Sequence, residues 1–373
     1  MQAGETSGEA IDFLVRRDDW QQCEVRRAPL PATLAPGQVL LRVDRFAFTT
    51  NNITYAVIGD MLGYWRFFPA ESPWGRLPVM GFADVQRSAH PEVRVGERVF
   101  GFFPMATHLV IDAGDVTPAQ FADAAPHRQD TALPYRQYLR AARDPQYDAG
   151  REDQLMLLRG LFVTAFLVDD YLADQSAFGA TTFLISSASS KTAIALAFLL
   201  SGRGAGRVVG LTSPGNVEFV RRLGFYSEVL AYDQVADLAR ETPVAFIDHA
   251  GDGALVEALH RHFGDQMKYS GIVGATHRDQ RRRPRALPGA EPAFFFAPSQ
   301  METRVAEWGA DGFHARLGGA WQRFVAASDI WLEVVRGCGA AAVEATYREV
   351  LAGRARPHQG HILSLSPSAP TAA

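Results

Sequence analysis

From residue 181 onward the chain repeats one arrangement: a short apolar run, a turn, then a helical stretch. Residues 181–186, 208–211, 229–232, 245–248 and 269–275 read as buried strands, and 191–201, 216–223 and 254–263 read as the helices between them. Strands joined by helices call for right-handed crossovers and a sheet covered on both faces. The pattern therefore predicts an α/β fold, a doubly wound parallel sheet of Rossmann type. Ligands of such sheets bind outside the carboxyl ends of the strands, so the strand-end turns are the first place to look for chemistry.

The N-terminal part has a different texture. QVLLRV (38–43), PVMGFADVQ (78–86) and RVFGF (98–102) are short β-branched and aromatic runs punctuated by Gly and Pro, which predicts a β-rich domain. Residues 59–75 gather two Trp, one Tyr and two Phe with no regular period and read as a long loop, either a packed closure or a substrate-facing lid. Helical patterns recur at 152–173, at 301–326 with Trp308, Phe313, Leu317, Trp321 and Phe324 at near-helical spacing, and at 340–352 before a strand-like HILSL. The basic, Pro-containing segment 278–289 reads as a solvated loop. At 373 residues the chain exceeds what one core organises, and two domains are expected, with one large α/β domain as the alternative.

Charge and cysteine usage exclude several classes. Lys plus Arg number 37 against 41 Asp plus Glu, a net charge of -4, so there is no broad basic excess for nucleic acid. Cys23 and Cys338 are the only cysteines, too few for a disulfide framework or a four-cysteine zinc site, as expected in a reducing compartment. The apolar run 193–200 falls far short of the ~20 residues a membrane span needs. The N-terminal MQAGETSGEAIDF lacks the basic start and apolar centre of a secretory signal, so a cytoplasmic protein is expected.

The segment that carries chemistry is TTFLISSASSKTA (181–193), where a buried strand runs directly into a helix. A helix N-terminus offers unpaired N–H groups and the positive end of its dipole, which suit a pyrophosphate. Small residues, Ser187, Ala188, Ser189, Ser190 and Thr192, let a ligand come close to the backbone. On a GxGxxG pattern the glycine positions hold Ala188, Ser190 and Ala193, a weak match. A P-loop is excluded, because its glycine positions hold Ile185 and Ser190. SxxK fails at Ala188, and GxSxG is missing. Lys191 in the first helical turn opposes the dipole unless an anion offsets it. The second strand ends in VVGLTSPGN, with Thr212, Ser213 and Asn216 where a dehydrogenase selective for the unphosphorylated cofactor places Asp or Glu. That missing carboxylate, with Arg221 and Arg222 near by, favours NADP(H); a solvated helix surface is the alternative account of the two arginines.

The order of elements resembles the medium-chain dehydrogenase/reductase superfamily, most closely its zinc-free quinone-oxidoreductase-like branch, and the chain looks like a member of the family called domain of unknown function 2855. APGQVLLRV, PVMGFADV, VGERVFGF and MATHLVI resemble the catalytic-domain signatures; LFVTAFLVDDYL, FLISSASSKTAIALAF, VVGLTSPGNVEFVRRLG and EVLAYD resemble those of the nucleotide domain, covering about 37–365. The resemblance implies a GroES-like catalytic domain of residues 1–155 and 328–373, a Rossmann domain of 156–327, and a homodimer. It also implies that zinc is absent, since the stretch matching the metal-binding GHE reads Gly81-Phe82-Ala83 and no cysteine lies between Cys23 and Cys338.

By the same resemblance, residues 49–60 (TTNNITYAVIGD) lie where zinc-free relatives place polar groups facing the substrate. Tyr55 assisted by Asn52, with Asn51, is the expected hydrogen-bonding set, and Tyr64 the second choice. Ordinary turn chemistry is the alternative for Asn51-Asn52. A neutral phenol suits metal-free reduction because it can steady or protonate a developing enolate or alkoxide. Tyr232 belongs to the EVLAYD signature. Asp248 and His249 end one late strand, while Gly274, Ala275 and Thr276 end the next and border the expected nicotinamide site. His277 is a further candidate proton donor, with a structural loop histidine as the alternative. The expected function is NADPH-dependent reduction of an activated alkene, quinone or carbonyl in a small apolar molecule, with FFFAP (294–298) and the aromatic loop as apolar walls. Two rivals stand beside it: a nucleotide-binding sensor or scaffold without turnover, and non-redox chemistry such as C–C cleavage or hydrolysis in the same cleft.

Overall fold

Apolar residues alternating with polar ones give the first half of the chain its strands: β1 (Glu9–Arg16), β2 (Cys23–Pro29), β3 (Gln38–Phe48), β4 (Trp74–Gly75), β5 (Pro78–Ser88), β6 (Arg98–Pro104), β7 (His108–Gly114), β8 (Gln120–Asp123) and β9 (Gln137–Arg140). Helices α1 (Thr50–Val57), α2 (Gly59–Leu62) and α3 (Leu133–Arg136) interrupt them. After α4 (Glu152–Asp174) come β10 (Thr182–Ile185), α5 (Lys191–Gly202), β11 (Arg207–Thr212), α6 (Val217–Arg222), β12 (Glu228–Ala231), β13 (Val244–Asp248), α7 (Gly253–Phe263), β14 (Met267–Ile272), β15 (Ala293–Phe294) and α8 (Ala297–Ser328). The chain ends with β16 (Glu333–Cys338), α9 (Ala340–Leu351) and β17 (Gln359–Ser364). This computed structural model describes residues 8–273 and 287–366.

The chain forms two units, one of Met1–Leu157 with Glu333–Ala373 and the other of Leu158–Leu332. In the first, strands run in the order β16-β17-β3-β5-β6-β9-β8-β7, and β7 pairs back onto β3, which closes six of them into a barrel. Closure removes the exposed sheet edges that an open sheet would present. The inward faces supply Val39, Leu41, Phe46, Val79, Phe103 and Tyr138 to one core. A smaller antiparallel sheet, β2-β1-β4, completes this β-rich, GroES-like unit.

In the second unit a parallel sheet has the order β12-β11-β10-β13-β14-β15. Counted from β10, that is 3-2-1-4-5-6, the Rossmann order, with its switch point between β10 and β13. β10, β11 and β13 are buried almost throughout, as a sheet covered on both faces requires. The long helix α8 breaks at Gly309, whose φ of 71° an L side chain would resist.

Residues 59–75, expected as one long loop, instead contain α2, a single 3-10 turn at Tyr64–Arg66 and the two residues of β4. The reason is Trp65, which is 5 % exposed and sits where a Cβ on either Gly59 or Gly75 would collide with its indole. The two glycines leave room for the ring, and the ring organises the segment.

Glu152, the first residue of α4, is 3 % exposed and gathers charge from distant strands. Its Oε2 accepts from Arg45 (2.6 Å) and Arg98 (2.6 Å), and its Oε1 from Arg98 (2.5 Å) and the Tyr147 hydroxyl (2.9 Å). Burial opposes its charge, but the hydrogen bonds from Arg98 and Arg45 outweigh that and hold the carboxyl below its ordinary range. Glu152→Gln should lower the unfolding free energy by about 3 kcal/mol, the scale for removing one partner of a buried pair, measured by urea denaturation. Because the folded-state pKa is depressed, the native protein should hold this contribution above about pH 4 and lose it as pH falls further, whereas the variant's acid dependence should be shallower.

Candidate functional site

At the switch point of the parallel sheet, two strands are joined through side chains. Ser186, fully buried one residue beyond β10, donates its hydroxyl to Asp248 Oδ1 (2.6 Å) and accepts the amides of His249 (2.8 Å) and Ala250 (3.0 Å). Asp248 Oδ1 accepts the amides of Ala250 (3.0 Å) and Gly251 (3.2 Å) as well. Asp248 is 3 % exposed, so its side chain builds the turn after β13. Burial pushes the adjacent His249 imidazole down to about 4, which leaves it neutral at physiological pH.

Ser187 then takes a left-handed conformation (φ 49°), a place usually left to glycine. Its amide donates to the Tyr232 hydroxyl (3.1 Å). The Ala188 amide donates to the Leu211 carbonyl (3.0 Å), and the Tyr226 hydroxyl donates to the Ala188 carbonyl (2.9 Å). A Cβ on Gly210 of β11 would meet Ala188 Cβ at 3.0 Å and the Tyr226 ring at 2.9 Å. The room that a glycine-rich turn makes for itself is thus supplied here by a glycine on the facing strand.

Ser190 caps α5, its hydroxyl accepting the Ala193 amide (3.3 Å). The amides of Ser189 and Thr192 have no hydrogen-bond partner among the described residues, and both lie at the positive end of a twelve-residue helix. Lys191 begins that helix, and burial pushes its ammonium down to about 8. Across from the turn, Asn216 Nδ2 donates to Ser189 Oγ (3.1 Å) and Ser213 Oγ (3.0 Å), with Thr212 Oγ1 3.4 Å from Ser189 Oγ. Residues 212–217 contain no carboxylate, and the first acid beyond β11 is the exposed Glu218. Arg221 donates to the Val229 carbonyl (3.3 Å) at the far end of α6. Gly274, Ala275, Thr276 and His277 lie outside the described residues. Phe294 and Phe296 are exposed and border a groove of about 270 Å³ with Tyr171 and Tyr269.

In the barrel unit, Asn51, Asn52 and Tyr55 lie on α1, where turn chemistry was the alternative. Asn52 is 5 % exposed, accepts the Thr49 amide (2.7 Å) and donates to the Pro78 carbonyl (2.9 Å), so it caps the helix and ties it to β5. Asn51, one turn before Tyr55, is the residue that meets the phenol, donating from Nδ2 to Tyr55 Oη at 3.0 Å. The amide partner of Tyr55 is therefore Asn51 and not Asn52. Burial raises the Tyr55 phenol above its ordinary range, so it stays protonated. The ring lies 4.7 Å from that of Tyr64, which in turn meets Phe67 (5.4 Å) and Tyr135 (6.2 Å).

Sequence reasoning missed Arg128, Tyr135, Ser186 and Gly210. Arg128 is fully buried, donates to the carbonyls of Phe67 (2.6 Å) and Tyr135 (2.5 Å), and stacks over Phe68 at 4.7 Å. Nothing local in PHR signals this. Gly210 had a signal, since an isolated glycine inside a strand marks close approach of another chain segment. Among the described residues no group of three His, Cys, Asp or Glu side chains is placed to hold a metal ion, and no helix is long and apolar enough to cross a membrane.

A barrel unit with a Rossmann unit is the fold of the medium-chain dehydrogenase/reductases, and solved structures of that fold match nearly the whole chain. CurA from Vibrio vulnificus in complex with NADPH aligns with a TM-score of 0.56 and 13% identity, over 95% of this chain and 98% of its own. A putative NADPH:quinone reductase from Mesorhizobium loti aligns at 0.56 and 15%, over 97% and 99%. The quinone oxidoreductase from Coxiella burnetii aligns at 0.53 and 14%, over 95% and 99%. At these identities the likeness establishes a shared fold. Residues 46–356 match the family described as protein of unknown function (DUF2855), and the chain belongs to that family. No curated protein matches the sequence.

The two asparagines separate structure from chemistry. Asn52→Ala should cost about 1 to 3 kcal/mol of stability through the lost cap and the orphaned Thr49 amide, read from the thermal or urea transition. Asn51→Ala, at an exposed position, should stay within about 0.5 kcal/mol of the native protein.

Proposed function

We propose that the chain is a zinc-independent, NADPH-dependent reductase of an activated alkene, quinone or carbonyl in a small molecule. The observation that carries this reading is the head of α5: a left-handed turn at Ser187 followed by the open amides of Ser189 and Thr192, at the switch point of a Rossmann sheet. The residues fit a dinucleotide. Ser189, Ser190 and Thr192 would hold its pyrophosphate, and Thr212, Ser213 and Asn216 would take the ribose end, where no carboxylate repels a 2′-phosphate. The CurA structure of the same fold contains NADPH, which supports the same choice here.

When bound, the nicotinamide supplies hydride. The chain's own part is to hold and protonate the substrate oxygen. Tyr55 is placed for this by Asn51, whose amide occupies a lone pair of the phenol and leaves its O–H to donate. Burial keeps the phenol neutral and its surroundings poorly screened, so a donor aimed at developing charge gains strength there. Asn51 acts through Tyr55 and is a positioning residue.

Two substitutions test the two halves of the reading. Ser213→Asp places a negative charge beside the expected 2′-phosphate and should weaken NADPH binding by about 10- to 100-fold, measured by nicotinamide fluorescence. Equal weakening for NADH would count against the ribose assignment. Tyr55→Phe should lower kcat on a reducible enone or quinone by ~100-fold with NADPH affinity unchanged. NADPH binding without oxidation across enones, quinones and aldehydes would replace the reductase by a nucleotide-binding protein without turnover. Absence of binding would leave non-redox chemistry.

A further inference from the structure

The aromatic residues of segment 59–75 wall a cleft of about 670 Å³ within the barrel unit, well inside the roughly 300–1,000 Å³ typical of small-molecule sites. Tyr64 and Trp74 come from that segment, and Tyr135 comes from α3. The two segments meet ring to ring, Tyr135 lying 5.1 Å from Phe67 and 6.2 Å from Tyr64, and Arg128 joins them by hydrogen bonds as well. Arg128 donates one guanidinium N–H to the Phe67 carbonyl and another to the Tyr135 carbonyl, with Asp123 Oδ2 3.7 Å from its Nε. Two donors of this fully buried guanidinium tie the two segments together, while its Nε has only the Asp123 carboxylate near by. The cleft is thereby pre-organised.

Its chemistry is specific. The rings of Tyr64, Trp74 and Tyr135 offer flat apolar surface to a planar ligand. Two arginines line the same space. Arg17 pairs with Asp60, whereas the exposed Arg66 has neither an ion-pair nor a hydrogen-bond partner among the described residues. A guanidinium beside aromatic rings matches a carboxylate attached to an aromatic system, which it can bind in bidentate fashion. Asp130 lines the cleft too and carries the opposite charge, which selects against ligands with more than one negative charge.

We propose that this cleft binds a planar aromatic monocarboxylate.

Binding can be tested without cofactor. Isothermal titration of the full chain with 2-naphthoate and with its uncharged counterpart 2-naphthamide should show the carboxylate at least 10-fold tighter. Arg66→Gln, an exposed change that the fold tolerates, should abolish that preference by weakening naphthoate and leaving naphthamide unchanged. Arg143→Gln, an exposed change outside the cleft, should alter neither. Equal affinity for the two probes, no binding of either at millimolar concentration, or the same loss in both variants would overturn the cleft assignment.

Discussion

The bond between Ser186 and Asp248 is the joint from which the ligand-facing end of the parallel sheet is hung. A carboxylate buried to 3 % exposure is tolerable only if its acceptor capacity is used, and here one hydroxyl and two backbone amides use it. The same hydroxyl accepts two further amides, so the loops leaving β10 and β13 share one hydrogen-bonded centre. With that centre fixed, Ser187 can be held in a conformation an L-residue resists, at a cost of order 1 kcal/mol that its bond to Tyr232 helps offset. The Ser189 and Thr192 amides at the head of α5, unpaired among the described residues, follow from the direction in which this turn delivers the chain.

The barrel unit relies on buried charge in a comparable way. Glu152 draws Arg45 and Arg98 from separate strands to the start of α4, and Arg128 draws the Phe67 and Tyr135 carbonyls together. In both places a charged group, expensive to bury alone, orders segments that no sheet hydrogen bond reaches. Surface ion pairs such as Arg16 with Asp18 or Arg348 with Glu344 join neighbours in sequence and are screened by solvent, so they order little.

Much of the candidate site could be read from residue order because the relevant contacts are local. The strand running into a helix at 181–193, the small residues of its turn and the missing carboxylate after β11 are properties of consecutive residues. The Asn51–Tyr55 contact obeys the i, i+4 spacing of a helix, and it went to the neighbouring asparagine only because residues 49–60 were not read as a helix. Reading 59–75 as a long loop failed for a related reason: Gly59 and Gly75 look like breakers along the chain, whereas in space both make room for Trp65.

The sequence by itself determined the alternation of strand and helix, and with it the Rossmann sheet, because the burial of a two-sided sheet writes a periodic apolar pattern into the chain. It also determined the β-rich character of the other unit and the place of the dinucleotide-type turn. Only the tertiary structure decided that Gly210 would supply the space an alanine in that turn takes up, and that Asn52 would be spent on capping α1. It also decided that Arg128 would span 61 residues to reach the Phe67 carbonyl. These outcomes depend on which side chains meet across long stretches of chain. The partners are chosen by packing and by the need to satisfy buried polar groups, and apart from the lone glycine within β11 the adjacent residues carry no mark of them.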